Sequence, residues 1–159
     1  MGLFDKLLKK ELPVYADTDV VAVGTGELVK PEKLSDPMFK EEMMGQTVGF
    51  EITDGTVVAP CNGTLEVVFP TGHAFMIRTK DGKSLLVHIG VDTVNMNGDG
   101  FKVLKKQGDE VKVGETVVKV DLNKVKNAGY DSTIMLVVTE GDKINYTSFG
   151  PVTKGQKIN

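Results

Sequence analysis

The two histidines of the chain, His73 and His88, are the side chains whose type and spacing point most directly to chemistry. They flank the dipeptide Asp81-Gly82, which predicts a β-hairpin closed by a two-residue type I′ turn. Counting outward from that turn pairs Phe75 with His88. The two histidines then lie diagonally on one face of the hairpin, with Cα atoms about 7–8 Å apart. The sequence therefore predicts that the two imidazole rings meet.

Two imidazoles beside a hydroxyl are suited to phosphoryl transfer or to metal binding. Neutral imidazole, with an ordinary pKa of about 6.5, is a nucleophile that attacks phosphorus without a separate base. A second imidazole can donate a hydrogen bond to the phosphoryl oxygens, where charge collects in the transition state. Thr71, two residues before His73 on the same predicted strand, can fix the tautomer of that histidine. The chain has no Walker A loop, so we expect the phosphoryl donor to be another protein.

Metal binding is an alternative that these residues leave open. His73, His88 and Asp92 would supply at most three local ligands, and the sequence has no HxH or HExxH spacing. The spacing His88-x3-Asp92 is superficially similar to the ligand spacing of lysostaphin-type zinc peptidases, which share a sandwich architecture. We predict no cofactor and no metal, and keep a zinc-binding hydrolase as the second hypothesis.

The elements that must position these residues are short strands. From Val20 onward, β-branched and aromatic runs are interrupted by turn signals every eight to twelve residues or so, which predicts an all-β sandwich. One face of the second hairpin strand carries an aliphatic row that is predicted to face the core: Leu85, Val87, Ile89 and Val91. His88 points away from this row. Two short helices are predicted, one from an Asp36 cap to Gly45 and one after an Asp121 cap.

Composition and charge restrict the class of protein. The 159 residues include 19 Lys plus Arg and 22 Asp plus Glu, a net charge of −3, which is opposite to the basic surface of nucleic-acid-binding proteins. The single cysteine, Cys61, cannot form an internal disulfide and favours a reducing compartment. No window of about 18 apolar residues is present, so neither secretion nor a membrane span is predicted. We expect a cytoplasmic chain with no nucleic-acid partner.

The chain divides into a short N-terminal segment, residues 1–12, and one domain, residues 13–159. Apolar residues recur at helical spacing in the short segment, with lysines between them: Leu3, Phe4, Lys6, Leu7, Leu8, Lys9 and Lys10. The pattern allows two interpretations of this segment: a disordered end, or an amphipathic helix in weak contact with an anionic membrane surface. Pro13 would end such a helix.

Residues 82–94, with the sequence GKSLLVHIGVDTV, resemble the phosphorylation-site signature of the glucose-class enzyme IIA of the bacterial phosphoenolpyruvate:sugar phosphotransferase system. Further matches lie at residues 58–64, 71–75, 98–101 and 108–114. The resemblance extends over nearly the whole chain from about residue 20 to residue 158.

The resemblance implies an EIIA type 1 domain with a β-sandwich of the barrel-sandwich-hybrid type. It implies that His88 is phosphorylated on its Nε2 atom, with His73 as the supporting histidine and Thr71 as the hydroxyl partner of His73. The phosphoryl group would come from the phosphocarrier protein HPr and pass to the IIB domain of a sugar permease during sugar uptake. The motif does not identify the sugar, the regulatory partners or the oligomeric state.

Methionines cluster near the predicted site, where the family pattern leads us to expect aliphatic residues. We predict that HPr and IIB dock on one rim around the two histidines, with the members Met38, Phe39, Met43, Met44, Phe69, Leu86, Asp92 and Val94. Methionine adapts its shape, which suits a surface that binds more than one partner.

A biotinyl or lipoyl carrier domain is the third hypothesis. The run at residues 108–114, GDEVKVG, also occurs in such domains, whose fold is similar. They need a modifiable lysine at a hairpin tip, and the turn Asp81-Gly82-Lys83 is a poor version of that site.

Overall fold

The computed structural model describes residues 15–159, so the N-terminal segment of residues 1–12 lies outside the described residues. Short strands dominate the described chain: β1 (Gly26–Val29), β2 (Gln46–Ile52), β3 (Thr56–Val58), β4 (Gly63–Val68), β5 (Ala74–Thr79), β6 (Ser84–Ile89), β7 (Phe101–Val103), β8 (Glu110–Val111), β9 (Thr116–Val120), β10 (Ile134–Glu140) and β11 (Gly150–Val152). Two short α-helices, α1 (Pro37–Lys40) and α2 (Leu122–Asn127), and two 3₁₀ turns, Pro31–Lys33 and Thr93–Met96, lie between them. None of the helices formed by these residues has the length and apolar character needed to cross a membrane.

The strands form two antiparallel sheets. The larger has eight strands in the order β11-β1-β2-β10-β6-β5-β4-β8, and the smaller has three in the order β3-β9-β7. The main core cluster takes side chains from both sheets, including Phe50 and Phe75 of the larger and Val118 of the smaller. The predicted all-β sandwich with short helical turns is confirmed.

A second, smaller core cluster covers the opposite face of the large sheet. It contains Val29, Leu34, Phe39, Ala74, Leu86, Met135 and Val137. We call it the site-side cluster, because Ala74 and Leu86 belong to the hairpin that carries the histidines. Strand β6 therefore alternates between two apolar environments, with Leu85, Val87 and Ile89 in the main core.

The helix caps were predicted correctly, whereas the length of the first helix was not. The Asp36 carboxylate accepts a hydrogen bond of 2.8 Å from the backbone N–H of Met38, and Pro37 begins α1. The Asp121 carboxylate accepts from two backbone N–H groups at the start of α2. Helix α1 ends at Lys40 rather than near Gly45, because Glu42 adopts a left-handed φ of 54° that no helix can continue.

The hairpin of β5 and β6 forms as predicted, but the predicted register is wrong by one residue. Ala74, not Phe75, lies opposite His88. The loop holds three residues, with Gly82 in the left-handed conformation at φ +93°, rather than the two residues of a type I′ turn. The hydroxyl of Thr79 explains this choice: it contacts the Asp81 carboxylate and accepts a hydrogen bond of 2.8 Å from the Lys83 backbone N–H.

The aliphatic row of β6 is also shorter than predicted. Strand β6 ends at Ile89, and Gly90 follows with a φ of +83°. This left-handed residue breaks the alternation of the strand. Val91 is consequently half-buried against the site-side cluster, and the prediction that it extends the main core is wrong.

Candidate functional site

His88 lies on β6 with its ring fixed by the backbone that follows it. Its Nδ1 atom is 2.7 Å from the carbonyl oxygen of Gly90. A carbonyl oxygen only accepts hydrogen bonds, so Nδ1 must carry the proton and donate it. Nε2 is then left unprotonated in the neutral ring, with its lone pair free to attack an electrophile.

His73 is 5% exposed and lies in the bend just before β5, where Thr71 occupies the preceding turn rather than the strand on which it was predicted. The Oγ1 atom of Thr71 is 2.7 Å from His73 Nδ1. A hydroxyl group donates or accepts, so this contact suits either tautomer. When the hydroxyl donates to Nδ1, the Nε2 atom of His73 carries the ring proton and is itself a donor.

The two rings meet although the predicted register was wrong. Their centroids are 5.4 Å apart, and their planes are inclined by 79°. The carbonyl of His73 accepts a hydrogen bond of 2.6 Å from the Ile89 backbone N–H, which fixes the bend against the end of β6. Because Gly72 has a φ of +74°, the chain turns there, and strand alternation does not decide where the His73 ring lies.

A cavity of about 260 Å³ opens over both histidines. Its walls are Asp36, Met38, Phe39, Met44, Phe69, His73, Ala74, Leu86, His88, Asp92 and Val94. The ring of Phe39 lies 5.2 Å from that of His88, and the ring of Phe69 lies 5.2 Å from that of His73. The imidazoles therefore lie in a mainly apolar cleft that is also lined by two carboxylates, those of Asp36 and Asp92.

The predicted rim separates into a floor and an exposed border. Phe39 and Leu86 are buried members of the site-side cluster and form the floor beneath the histidines. Met38, Met44, Phe69 and Val94 line the cavity and are well exposed. Met43 is 72% exposed and lies outside the cavity wall.

Burial lowers the pKa of both imidazoles. Desolvation is the main cause for His73, and the neighbouring His88 lowers the pKa of His73 further. Desolvation is also the main cause for His88, and it is opposed by the Gly90 carbonyl and by the charges of Asp36 and Asp92, which raise the pKa. Both rings are therefore neutral at neutral pH, which is the state that a nitrogen nucleophile needs.

The sequence did not indicate that two further groups act on His88. The Gly90 carbonyl sets the tautomer of His88, and Asp36, predicted only as a helix cap, also acts on the pKa of His88 by its charge. A glycine directly after a buried strand was the available signal for the first, because it marks a break in the alternation. No local signal connects Asp36 with His88, since they are far apart in the sequence.

The geometry gives no support to the metal and carrier hypotheses. Among the described residues, 15–159, no group of three or more His, Cys, Asp or Glu side chains is arranged to hold a metal ion. The hairpin lysine that a carrier domain would modify, Lys83, is only 16% exposed at its side chain and contacts the Asp81 carboxylate.

The chain is similar to known proteins over most of its length. The family model described as the phosphoenolpyruvate-dependent sugar phosphotransferase system, EIIA 1, matches residues 18–144. A glucose-specific EIIA component of the phosphotransferase system from Staphylococcus aureus is 40% identical over 157 residues, covering 97% of this chain and 95% of the relative. One from Staphylococcus epidermidis is 38% identical with the same coverage.

A solved structure has the same fold. The glucose permease IIA from Mycoplasma capricolum superposes with a TM-score of 0.82 at 32% identity, covering 88% of this chain and 92% of that one. The family model, the relatives and the fold thus agree on one assignment. The chain belongs to the EIIA type 1 family of the phosphoenolpyruvate-dependent sugar phosphotransferase system, and it is a phosphotransferase component that carries phosphoryl groups in sugar uptake.

Proposed function

We propose that the chain accepts a phosphoryl group from phospho-HPr on Nε2 of His88 and passes it to the IIB domain of a sugar permease. The observation that carries the assignment is the hydrogen bond of 2.7 Å between His88 Nδ1 and the Gly90 carbonyl. It leaves Nε2 as the nucleophilic atom of that ring.

The transfer step follows from this tautomer. The lone pair of His88 Nε2 forms the new bond to phosphorus while the bond from phosphorus to the donor breaks, and the donor keeps that electron pair. The proton on Nδ1 stays hydrogen-bonded to the Gly90 carbonyl. That carbonyl dipole, together with the carboxylates of Asp36 and Asp92, stabilises the positive charge that the ring acquires as the bond forms.

His73 has a different role in this proposal. With its Nδ1 atom accepting from Thr71, its Nε2–H donates to an oxygen of the phosphoryl group held between the two rings. A single donor of this kind contributes about 10²–10³-fold in rate. Thr71 is a positioning residue, because it acts only through the ring of His73.

One surface serves both partners, since each must reach the same phosphorus atom from the open side of the cleft. We define this docking surface as Met38, Met43, Met44, Phe69, Asp92 and Val94, over the floor of Phe39 and Leu86. A cytoplasmic location belongs to the same proposal, and the lone, buried thiol of Cys61 is compatible with a reducing compartment.

The test is phosphoryl transfer from labelled phospho-HPr to His88→Ala and, as the matched variant, to His73→Ala. We expect no label on His88→Ala, and slow but complete labelling of His73→Ala that is lost in acid. Circular dichroism of both variants controls for folding. A label that persists on folded His88→Ala would overturn the assignment, and an unchanged rate for His73→Ala would remove the role given to that residue.

A further inference from the structure

Three of the six methionines in the described chain lie together on the docking surface and are open to solvent. Met38, Met43 and Met44 are 45%, 72% and 37% exposed. The other three are protected: Met135 is 1% exposed, and Met76 and Met96 are half-buried. Two of the exposed thioethers, those of Met38 and Met44, also line the cavity over the histidines.

We propose that Met38, Met43 and Met44 form an oxidation site through which peroxide reversibly switches off phosphoryl transfer. This inference rests on the proposed function, because the same three side chains belong to the surface on which HPr and IIB dock. It adds a covalent modification that the transfer mechanism does not need.

The chemistry is a two-electron oxidation at sulfur. The thioether sulfur attacks one oxygen of hydrogen peroxide and the O–O bond breaks; the departing hydroxide takes the proton of the oxygen now bound to sulfur, which gives one molecule of water and a sulfoxide. No proton on the protein is consumed in the net reaction. Methionine sulfoxide reductases, which act separately on the two sulfoxide epimers, return the side chain to the thioether at the expense of a thiol reductant.

The consequence follows from the position of the three side chains. A sulfoxide turns a flexible apolar side chain into a polar one with a strong hydrogen-bond acceptor. Docking of a partner over the cleft would bury the oxygens on Met38 and Met44 against the apolar wall formed by Phe39, Phe69 and Val94, and would cover the oxygen on Met43 at the outer border. A polar atom buried without a partner weakens association, and a loss of roughly tenfold in transfer efficiency is expected.

The thiol does not offer a competing route for the peroxide. Cys61 is the single cysteine of the chain and is fully buried. Burial raises the pKa of its thiol to about 12. The thiolate is the reactive form, so Cys61 reacts slowly with peroxide at neutral pH.

The experiment compares the wild-type protein, the triple variant Met38→Leu, Met43→Leu, Met44→Leu, and the matched control Met96→Leu. Each is treated with dilute hydrogen peroxide, freed of it with catalase, and assayed for transfer from phospho-HPr. Mass spectrometry of peptides locates the sulfoxides, and circular dichroism verifies the fold. Each rate is divided by that of the same protein without peroxide, so any effect of leucine on the untreated rate cancels.

We expect sulfoxide first at Met38, Met43 and Met44, with a fall of roughly tenfold in the rate of wild type and of Met96→Leu. The triple variant should keep its rate, and sulfoxide reductases should restore the other two. Full oxidation of the three methionines without a change in rate would overturn the inference, as would equal inactivation of the triple variant. If untreated wild type takes no phosphoryl group, the proposed function itself fails, and the inference fails with it.

Discussion

Substituting Gly90 tests whether its backbone holds His88 in the reactive tautomer. An alanine Cβ at this position would lie 2.4 Å from Thr93 Cγ2 and 2.8 Å from the backbone oxygen of Asp131. Gly90 also has a φ of +83°, a conformation that costs an alanine about 1–2 kcal/mol. Relief of the overlap costs a further 1–3 kcal/mol or so. We therefore expect Gly90→Ala to lower the free energy of unfolding by about 2–5 kcal/mol.

Gly82→Ala is the matched control. Gly82 has a similar φ of +93°, and an added Cβ would have no atom within 4 Å. Its expected destabilisation is the conformational part alone, about 1–2 kcal/mol. The small gain that alanine gives by restricting the unfolded chain is common to both variants and cancels in their difference.

Urea unfolding of both variants measures this difference, and transfer from phospho-HPr measures the chemical effect. Relief of the overlap must move the Gly90 carbonyl, and loss of its hydrogen bond to Nδ1 lets the proton shift to Nε2 of His88. We expect a transfer rate lowered by about tenfold for Gly90→Ala and unchanged for Gly82→Ala. Equal urea midpoints together with equal transfer rates would refute the role given to the Gly90 backbone.

Three further outcomes are expected. Thr71→Val removes the hydroxyl that contacts His73 Nδ1, so the transfer rate should fall by about three- to tenfold in rapid-quench assays, with no change in the fold. Asp121→Ala removes the α2 cap and should lower the free energy of unfolding by about 1 kcal/mol in urea while leaving transfer unchanged. Because burial lowers the pKa of His73 and His88, the unfolded chain binds more protons than the folded chain as the pH decreases. The contribution of the two histidines to the free energy of unfolding is therefore fully present above about pH 6.5, and the free energy of unfolding should decline toward pH 5. Replacing both histidines by glutamine should flatten this pH dependence in urea titrations.

The features that were predictable from sequence are those set by neighbouring residues. Asp36 and Asp121 precede short helices and cap them, because their carboxylates reach N–H groups only two or three residues ahead. The alternation along β6 was predictable for the same reason, because successive side chains of a strand point to opposite faces. Leu85, Val87 and Ile89 accordingly face the main core.

The hairpin register was not predictable from the turn dipeptide alone. Asp-Gly fits both a two-residue turn and the end of a three-residue loop, and the two differ by one residue in every pair of the ladder. The choice is made by the Thr79 hydroxyl, which holds the loop through Asp81 and Lys83. The burial of each proposed docking residue was also beyond the sequence, since Phe39 is buried and Met43 is exposed only a few residues apart.

The division between floor and border gives the proposed docking surface a physical rationale. The floor, Phe39 and Leu86, is packed in the site-side cluster, so the ring of His88 rests on a rigid base. The border is formed by side chains that extend into solvent, above all Met43. In-line transfer needs the nucleophilic nitrogen at a fixed position, whereas two different partners need a surface that can adjust its shape. Rigid aromatic and branched residues below and flexible methionines above meet both needs at one site. The same division explains why peroxide should affect docking without disturbing the histidines beneath.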